Sequence, residues 1–248
     1  MQEMYLNAEN LGITLDKTEI VKNINLSIES GKIVGLIGPS GAGKTTIIKA
    51  IIGVYVPNKG TLTIFNEKMP SLKPLQNIGY MAQTDALYED LTAYQNLLFF
   101  GSLYGLAKKE LQTRCDEVLN LTHLSEDKNK IVRKYSGGMK RRLSMAISFL
   151  HSPKLLILDE PTVGLDPTLR LEFKELFKEL AKKGQAILMT THVMDEVNDC
   201  DFLYMLREGK VIASGSPTQL IGNFSNLEDA FIHYCSSEME VPKWELLP

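Results

Sequence analysis

The chain has only three cysteines and one tryptophan in 248 residues. Cys115, Cys200 and Cys235 form an odd, widely spaced set. Such a set fits neither a disulfide framework nor a zinc site, so they read as reduced core or surface thiols. The histidines His123, His151, His192 and His233 form no H-x-x-x-H pair, which leaves a metal-binding helix unsupported. No run reaches the about 20 apolar residues that a membrane-spanning helix needs. The nearest, 97–107, is interrupted by Gly101, Ser102 and Gly105. Residues 1–10 lack the basic-then-apolar pattern of a signal peptide, so the protein is expected to stay where it is made. An excess of positive charge is missing too. Lys plus Arg is 27 against 30 Asp plus Glu, a formal net charge of -3. A slightly acidic chain offers no broad attraction to phosphate backbones, which disfavours nucleic acid as a partner.

What is present is a folded, soluble-type composition: 44% hydrophobic and 23% charged residues. At roughly 150 residues per domain the prior is one large domain or two small ones. Ile20, Ile24, Leu26 and Ile28 are apolar on one parity, as in a strand. The run 33–37 is continuously apolar, as a fully buried strand should be. A glycine-rich loop follows, then a helical stretch 45–52 closed by Gly53. Asn58, Lys59 and Gly60 signal a turn, and 61–65 reads as a strand. From about 85 to 150 apolar residues recur at helical spacing. A buried strand over 154–159 comes next, then a helix capped by Asp166, opened by Pro167 and closed by Gly184. Leu169, Phe173, Leu176 and Leu180 form its expected apolar stripe. A short strand over 186–189 and a hairpin over 202–214 turning at Glu208 and Gly209 follow. Ser225 and Glu228 have capping-box spacing before a last helix. Strands alternating with helices imply an α/β fold with a mainly parallel sheet.

Three sites carry chemistry. Gly38, Pro39, Ser40, Gly41, Ala42, Gly43, Lys44, Thr45 and Thr46 match G-x-x-x-x-G-K-[ST], between a buried strand and a helix. Glycines let successive N–H groups turn inward around phosphate oxygens at a helix N-terminus. Lys44 adds a positive charge, and Thr45 offers a hydroxyl to Mg²⁺. The second site is Asp159 and Glu160 at the end of the 154–159 strand. Asp159 can hold Mg²⁺ through water, and Glu160 can polarise an attacking water as a general base. The third is Ser136, Gly137 and Gly138, which open a second helix with Met139, Leu143, Ala146, Ile147 and Leu150 along one face. A helix N-terminus is worth about 0.3–1 kcal/mol to an anion, so this site could complete a nucleotide site but not make one alone.

Taken in order, these motifs resemble the ATP-binding subunit of ABC transporters over about residues 4–235, with 236–248 as a C-terminal tail. The loop 38–46 corresponds to the family's Walker A loop and 155–160 to Walker B with its catalytic Glu160. Ser136, Gly137 and Gly138 resemble the family signature. Gly164, Leu165 and Asp166 resemble the D-loop. Gln83 sits where the family has a glutamine that contacts Mg²⁺, and His192 where it has the γ-phosphate histidine. Tyr88, Leu91 and the acids beside them, then Phe99, Phe100 and Gly101, resemble the subclass of drug and antibiotic exporters. Leu15 stands where the family has an aromatic that stacks on adenine. Tyr135 stands for the usual Leu, and Met139 and Lys140 where a Gln follows the glycines.

The resemblance implies a P-loop NTPase core of the RecA-like type, an N-terminal antiparallel β subdomain and an inserted helical subdomain at about 85–150. It implies ATP and Mg²⁺ as ligands and Glu160 and His192 as catalytic residues. Two ATPase chains, identical or different, would pack head to tail, each signature facing the ATP of its partner. An integral membrane subunit is expected to dock along 83–92, bounded by Gln83 and Thr92, which places the chain at the cytoplasmic face of a membrane. The alternative is a non-transport ABC ATPase acting on nucleic acid or ribosomes. Such proteins usually carry a second ATPase half or long coiled-coil insertions. A P-loop GTPase would usually show N-K-x-D, which 127–130 does not match.

Overall fold

A computed structural model describes residues 3–236. Among the described residues there are two sheets and seven α-helices. The first sheet is antiparallel, in the order β2-β1-β4-β5, from β1 (Met4–Leu15), β2 (Thr18–Glu29), β4 (Lys59–Ile64) and β5 (Glu67–Lys68). The second has the order β10-β9-β3-β8-β7-β6, from β3 (Ile33–Ile37), β6 (Ile78–Met81), β7 (Leu155–Asp159), β8 (Ala186–Thr191), β9 (Phe202–Arg207) and β10 (Lys210–Gly215). Its neighbours from β6 to β9 are parallel, and β10 closes the edge as an antiparallel hairpin. The α/β expectation with an N-terminal antiparallel layer is met.

The apolar runs explain the layering. In β3, Val34 and Leu36 face the antiparallel sheet and α1 (Lys44–Ile51), while Ile33 and Ile37 face the opposite core. β7 divides the same way, Leu155 and Ile157 against Leu156 and Leu158. Both faces of these strands are covered, so no polar alternation survives in the sequence.

The stretch 85–150 holds α2 (Ala93–Leu103), α3 (Lys108–Leu121) and α4 (Gly137–Phe149), between two strands that are neighbours in the sheet. Its Leu97, Leu111, Cys115 and Val118 share one buried cluster with Leu156 and Ile187. The remaining helices are α5 (Pro167–Lys182), α6 (Pro217–Ile221) and α7 (Leu227–Ser236). No helix among the described residues is long and apolar enough to cross a membrane.

Four expectations need correction. Lys59 and Gly60 do not form a turn: they open β4. Gly60 has φ +73° and lies against the backbone of Glu9 and Asn10, a place that only glycine fills. In β2, Val21 is buried while Ile20 is only partly covered, because register shifts break the alternation near Asn23, itself at φ +53°. In α5 the buried line is Phe173, Phe177 and Ala181; Leu169, Leu176 and Leu180 flank it. The cap of α7 is Asn226, whose Oδ1 accepts from Asp229 N at 2.8 Å, and not Ser225. Ser236 belongs to α7, and the rest of the expected tail lies outside the described residues.

Candidate active site

Four adjacent strands bring the expected residues to one end of the large sheet. β6 ends just before Gln83, β7 at Asp159, β8 at Thr191 beside His192, and β3 just before Gly38. Their parallel pairing puts all four C-terminal ends on one side, where open α/β sheets bind ligands.

The loop after β3 turns into α1 through Gly43, at φ +103° and with no side-chain cap on the helix. A Cβ there would sit 3.4 Å from the carbonyl of Ile20. The first N–H groups of α1 are therefore left to face whatever the loop holds. Lys44 is only 7% exposed. Its Nζ donates to the carbonyls of Gly38 at 2.6 Å and Pro39 at 3.0 Å. Burial pulls its ammonium below the ordinary lysine value, and the charges of Glu160 and Asp159 oppose that shift.

Asp159 is 1% exposed. Its Oδ1 accepts from Thr190 Oγ1 at 2.5 Å, and its Oδ2 accepts from Thr45 Oγ1 at 3.5 Å. Glu160 follows at φ +52°, a costly conformation for a residue with a Cβ. Its N–H donates to the carbonyl and to the hydroxyl of Thr190, both at 3.1 Å. That turn aims its carboxylate between two other loops. Oε2 accepts from Gln83 Nε2 at 3.4 Å, and Oε1 lies 3.1 Å from His192 Nδ1. A cleft of about 450 Å³ is lined by Ile20, by Ser40 through Thr46, and by Gln83 and Glu160.

Ser136, Gly137 and Gly138 do not line this cleft. They open α4, where Ser136 Oγ accepts from Met139 N at 3.3 Å. The turn Gly164, Leu165, Asp166 lies beside them: a Cβ on Gly138 would sit 3.4 Å from the Gly164 carbonyl. Asp166 caps α5 by accepting from Leu169 N at 3.1 Å. The molecule thus gathers the Lys44 loop, Gln83, Asp159, Glu160 and His192 in one place. The two glycine turns form a second place.

Several side chains at the site escaped the sequence reading. Thr190 bonds both Asp159 and Glu160. Glu196, only 8% exposed, accepts from Thr162 Oγ1 at 2.5 Å and Thr191 Oγ1 at 2.6 Å, tying the turn after Glu160 to the end of β8. Arg141 reaches from α4 to the carbonyls of both Gln83 and Glu160. Leu15, expected near a base, does not line the cleft; Ile20 does. No pattern of spacing marks these residues, because each acts across the fold.

The profile of the ABC transporter family matches residues 21–163. The chain is 40% identical over 218 residues to the linearmycin resistance ATP-binding protein LnrL of Bacillus subtilis, covering 87% of this chain and 70% of that protein. This chain belongs to the ABC transporter ATP-binding family. It spans a smaller share, 33% and 34%, of two ABC transporter G family members of Dictyostelium discoideum. Its fold is similar to a solved ATP-binding subunit of an ABC transporter, with TM-score 0.86 at 28% identity over 93% of this chain and 99% of that one. It is similar also to a dimeric ATP-binding cassette in a post-hydrolysis state bound to ADP and Pi, with TM-score 0.79 at 26% identity over 85% and 98% of the two chains. ABC cassettes bind ATP and are ATPases that drive transport. The Thr45 hydroxyl and Asp159 carboxylate, 3.5 Å apart at the loop, suit Mg²⁺, a hard cation that takes oxygen ligands together with nucleotide phosphates, and Gln83 lines the same cleft.

Proposed function

We propose that this chain is the ATP-hydrolysing subunit of an exporter-type ABC transporter. One observation carries the reading: beside the Lys44 loop, the Glu160 carboxylate is held by Gln83 on one side and His192 on the other. A carboxylate held between Gln83 and His192 at the edge of the phosphate-loop cleft is placed to take a proton from water.

The N–H groups of residues 40–46 and the Lys44 ammonium hold the phosphates of ATP. Thr45, Asp159 and Gln83 hold Mg²⁺, which neutralises charge on the phosphates when bound. Water attacks the γ-phosphorus as Glu160 takes its proton. The bond to the bridging oxygen breaks, and ADP and phosphate leave. A general base contributes about 10²- to 10⁴-fold to such a step. His192 keeps Glu160 aimed and faces the γ-phosphate.

Two chains pack head to tail, so that Ser136, Gly137 and Gly138 of one approach the ATP held by the other, with Gly164, Leu165 and Asp166 at the same seam. The separation of these turns from the Lys44 cleft supports this arrangement. The membrane subunit docks along 83–92. Support comes from Tyr88, 48% exposed, which packs with Phe99 and Phe100 in an aromatic cluster with centroids 4.7 and 6.0 Å from its own. The chain then works at the cytoplasmic face of the membrane without entering it.

Phosphate release by the purified chain in Mg²⁺ and ATP, read against protein concentration, tests this. The specific rate is expected to rise with concentration as dimers form. A chain that binds ATP and releases no phosphate at any concentration, with or without a co-expressed membrane subunit, overturns the reading.

A further inference from the structure

Arg141 lies in the first turns of α4 and is only 6% exposed. Its guanidinium donors are directed at two separate loops. Nη1 donates to the carbonyls of Ala82 at 2.8 Å and Gln83 at 3.1 Å, in the segment after β6. Nη2 donates to the carbonyls of Asp159 at 2.5 Å and Glu160 at 2.6 Å, and Nε to that of Pro161 at 3.3 Å, in the turn after β7. Nη1 also lies 3.3 Å from Asp85 Oδ1, which accepts from Ser144 Oγ at 2.7 Å on the same helix.

Two features make this more than a packed arginine. The planar fork places its donors at fixed angles, so it spans both loops at once, which a lysine cannot do. Glu160 is also held at φ +52°, a conformation that persists only when its surroundings determine it. Thr190 restrains the N–H side of that residue and Arg141 its carbonyl side. Other cations near the start of α4 reach the same segment, Arg133 to Asp90 and Lys140 to Glu89. Both pairs are solvent-exposed on at least one side and contribute little. Charge-assisted bonds from the buried Arg141 are the stronger tie.

We propose that Arg141 is a positioning residue. It locks Gln83 and Glu160 to the helix that begins at Ser136, so that the base is aimed only while α4 is seated against the sheet. This rests on the ATPase reading, and the test separates the two.

The full chain is compared with Arg141→Gln, Arg141→Lys and, as a control, Arg114→Gln. Arg114 binds the carbonyls of Phe149 and Leu150 at the far end of α4. Small misplacements at a reacting centre cost up to about 100-fold, so kcat of Arg141→Gln is expected to fall about 10- to 100-fold, with the dissociation constant of a fluorescent ATP analogue within about threefold. Arg141→Lys recovers only part of the rate, and Arg114→Gln lowers Tm while holding kcat within about twofold. Hydrogen exchange without nucleotide is the second readout, and it holds whatever the chain hydrolyses: in Arg141→Gln, 82–85 and 159–163 are expected to exchange faster together. A folded Arg141→Gln with unchanged kcat, or exchange that rises in one loop or neither, overturns the proposal. If Arg141→Gln does not fold, Arg141→Lys is read in its place by the same criteria.

Discussion

The molecule has two glycine-rich helix starts, and they are built differently. At α1 the cap position is Gly43, no side chain closes the helix, and a buried lysine sits in the first turn. At α4 the cap is Ser136, whose hydroxyl already accepts from Met139 N. The first start is backed by Asp159, Glu160, Gln83 and His192. The second has the Gly164 turn beside it, and a Cβ on Gly137 would meet nothing within 4 Å. The first start has charged and polar side chains from three further strand ends gathered behind it. The other has its cap satisfied within its own helix, and in the proposed dimer it would add donors to a ligand held elsewhere. Glycine and a helix N-terminus alone therefore do not distinguish a binding site from half of one; the groups behind the turn do.

The largest effect should come from the Lys44 cleft. Glu160→Gln is expected to lower kcat by about 10²- to 10⁴-fold and to leave ATP binding in place. Normal phosphate release by that variant would remove Glu160 as the base and narrow the difference between the two starts. Next is Lys44→Ala. Hydrogen bonds to charged groups contribute about 1.5–3 kcal/mol, so affinity for ATP should fall by about one to two orders of magnitude in calorimetry. The same measurement on Gly137→Ala should show almost no change for the isolated chain. An equal loss in both would dissolve the comparison.

Ser136→Ala should cost about 0.5–2 kcal/mol of stability, the value of an N-cap. In a chain of this size that lowers Tm by about 2–4 °C per kcal/mol in calorimetric scans. Single-chain ATP affinity should stay constant while ATP-dependent association, read by light scattering, weakens. The smallest effect lies just past the far end of α4. His151 stacks on Tyr104 at 3.6 Å, and burial pushes it down to about 4. Its ordinary value is near 6.5, so the unfolded chain takes up a proton first as pH falls. Stability should therefore drop between pH 6.5 and 4, and His151→Leu should flatten that part of the Tm–pH curve. An unchanged slope would show that His151 is free to protonate in the folded chain.

The sequence was most legible where chemistry is contiguous. The loop from Gly38 to Thr46 and the pair Asp159 and Glu160 are local words, and the flanking buried strands could be read from unbroken apolar runs. The hairpin turn at Glu208 and Gly209 was legible for the same reason: both residues take positive φ there. Legibility ended where a residue acts across the fold. Arg141 and Arg142 are neighbours in sequence, yet one binds Gln83 and Glu160 while the other binds the carbonyls of Thr122 and His123. Only the rotation of α4 against the sheet separates their roles. Glu196 looks like one more surface acid until Thr162 and Thr191 are seen to close over it. Local breaks in register did the rest, moving Val21 inward in place of Ile20 and putting Gly60 inside a strand.

The order β6-β7-β8-β3 turns the sheet into a ruler. Neighbouring strands lie about 4.8 Å apart, so Gln83, Glu160, His192 and the Lys44 loop stand on consecutive marks. Their spacing comes from the hydrogen-bond ladder rather than from any loop, and lengthening a loop elsewhere leaves the marks in place. Moving one mark requires a strand to slip, and a slip of one residue turns each side chain to the other face. In β7 that step would carry Asp159 off the Thr45 side and bring Leu158 toward it. The layout of these four positions can therefore be kept or lost, but it is not easily detuned by degrees.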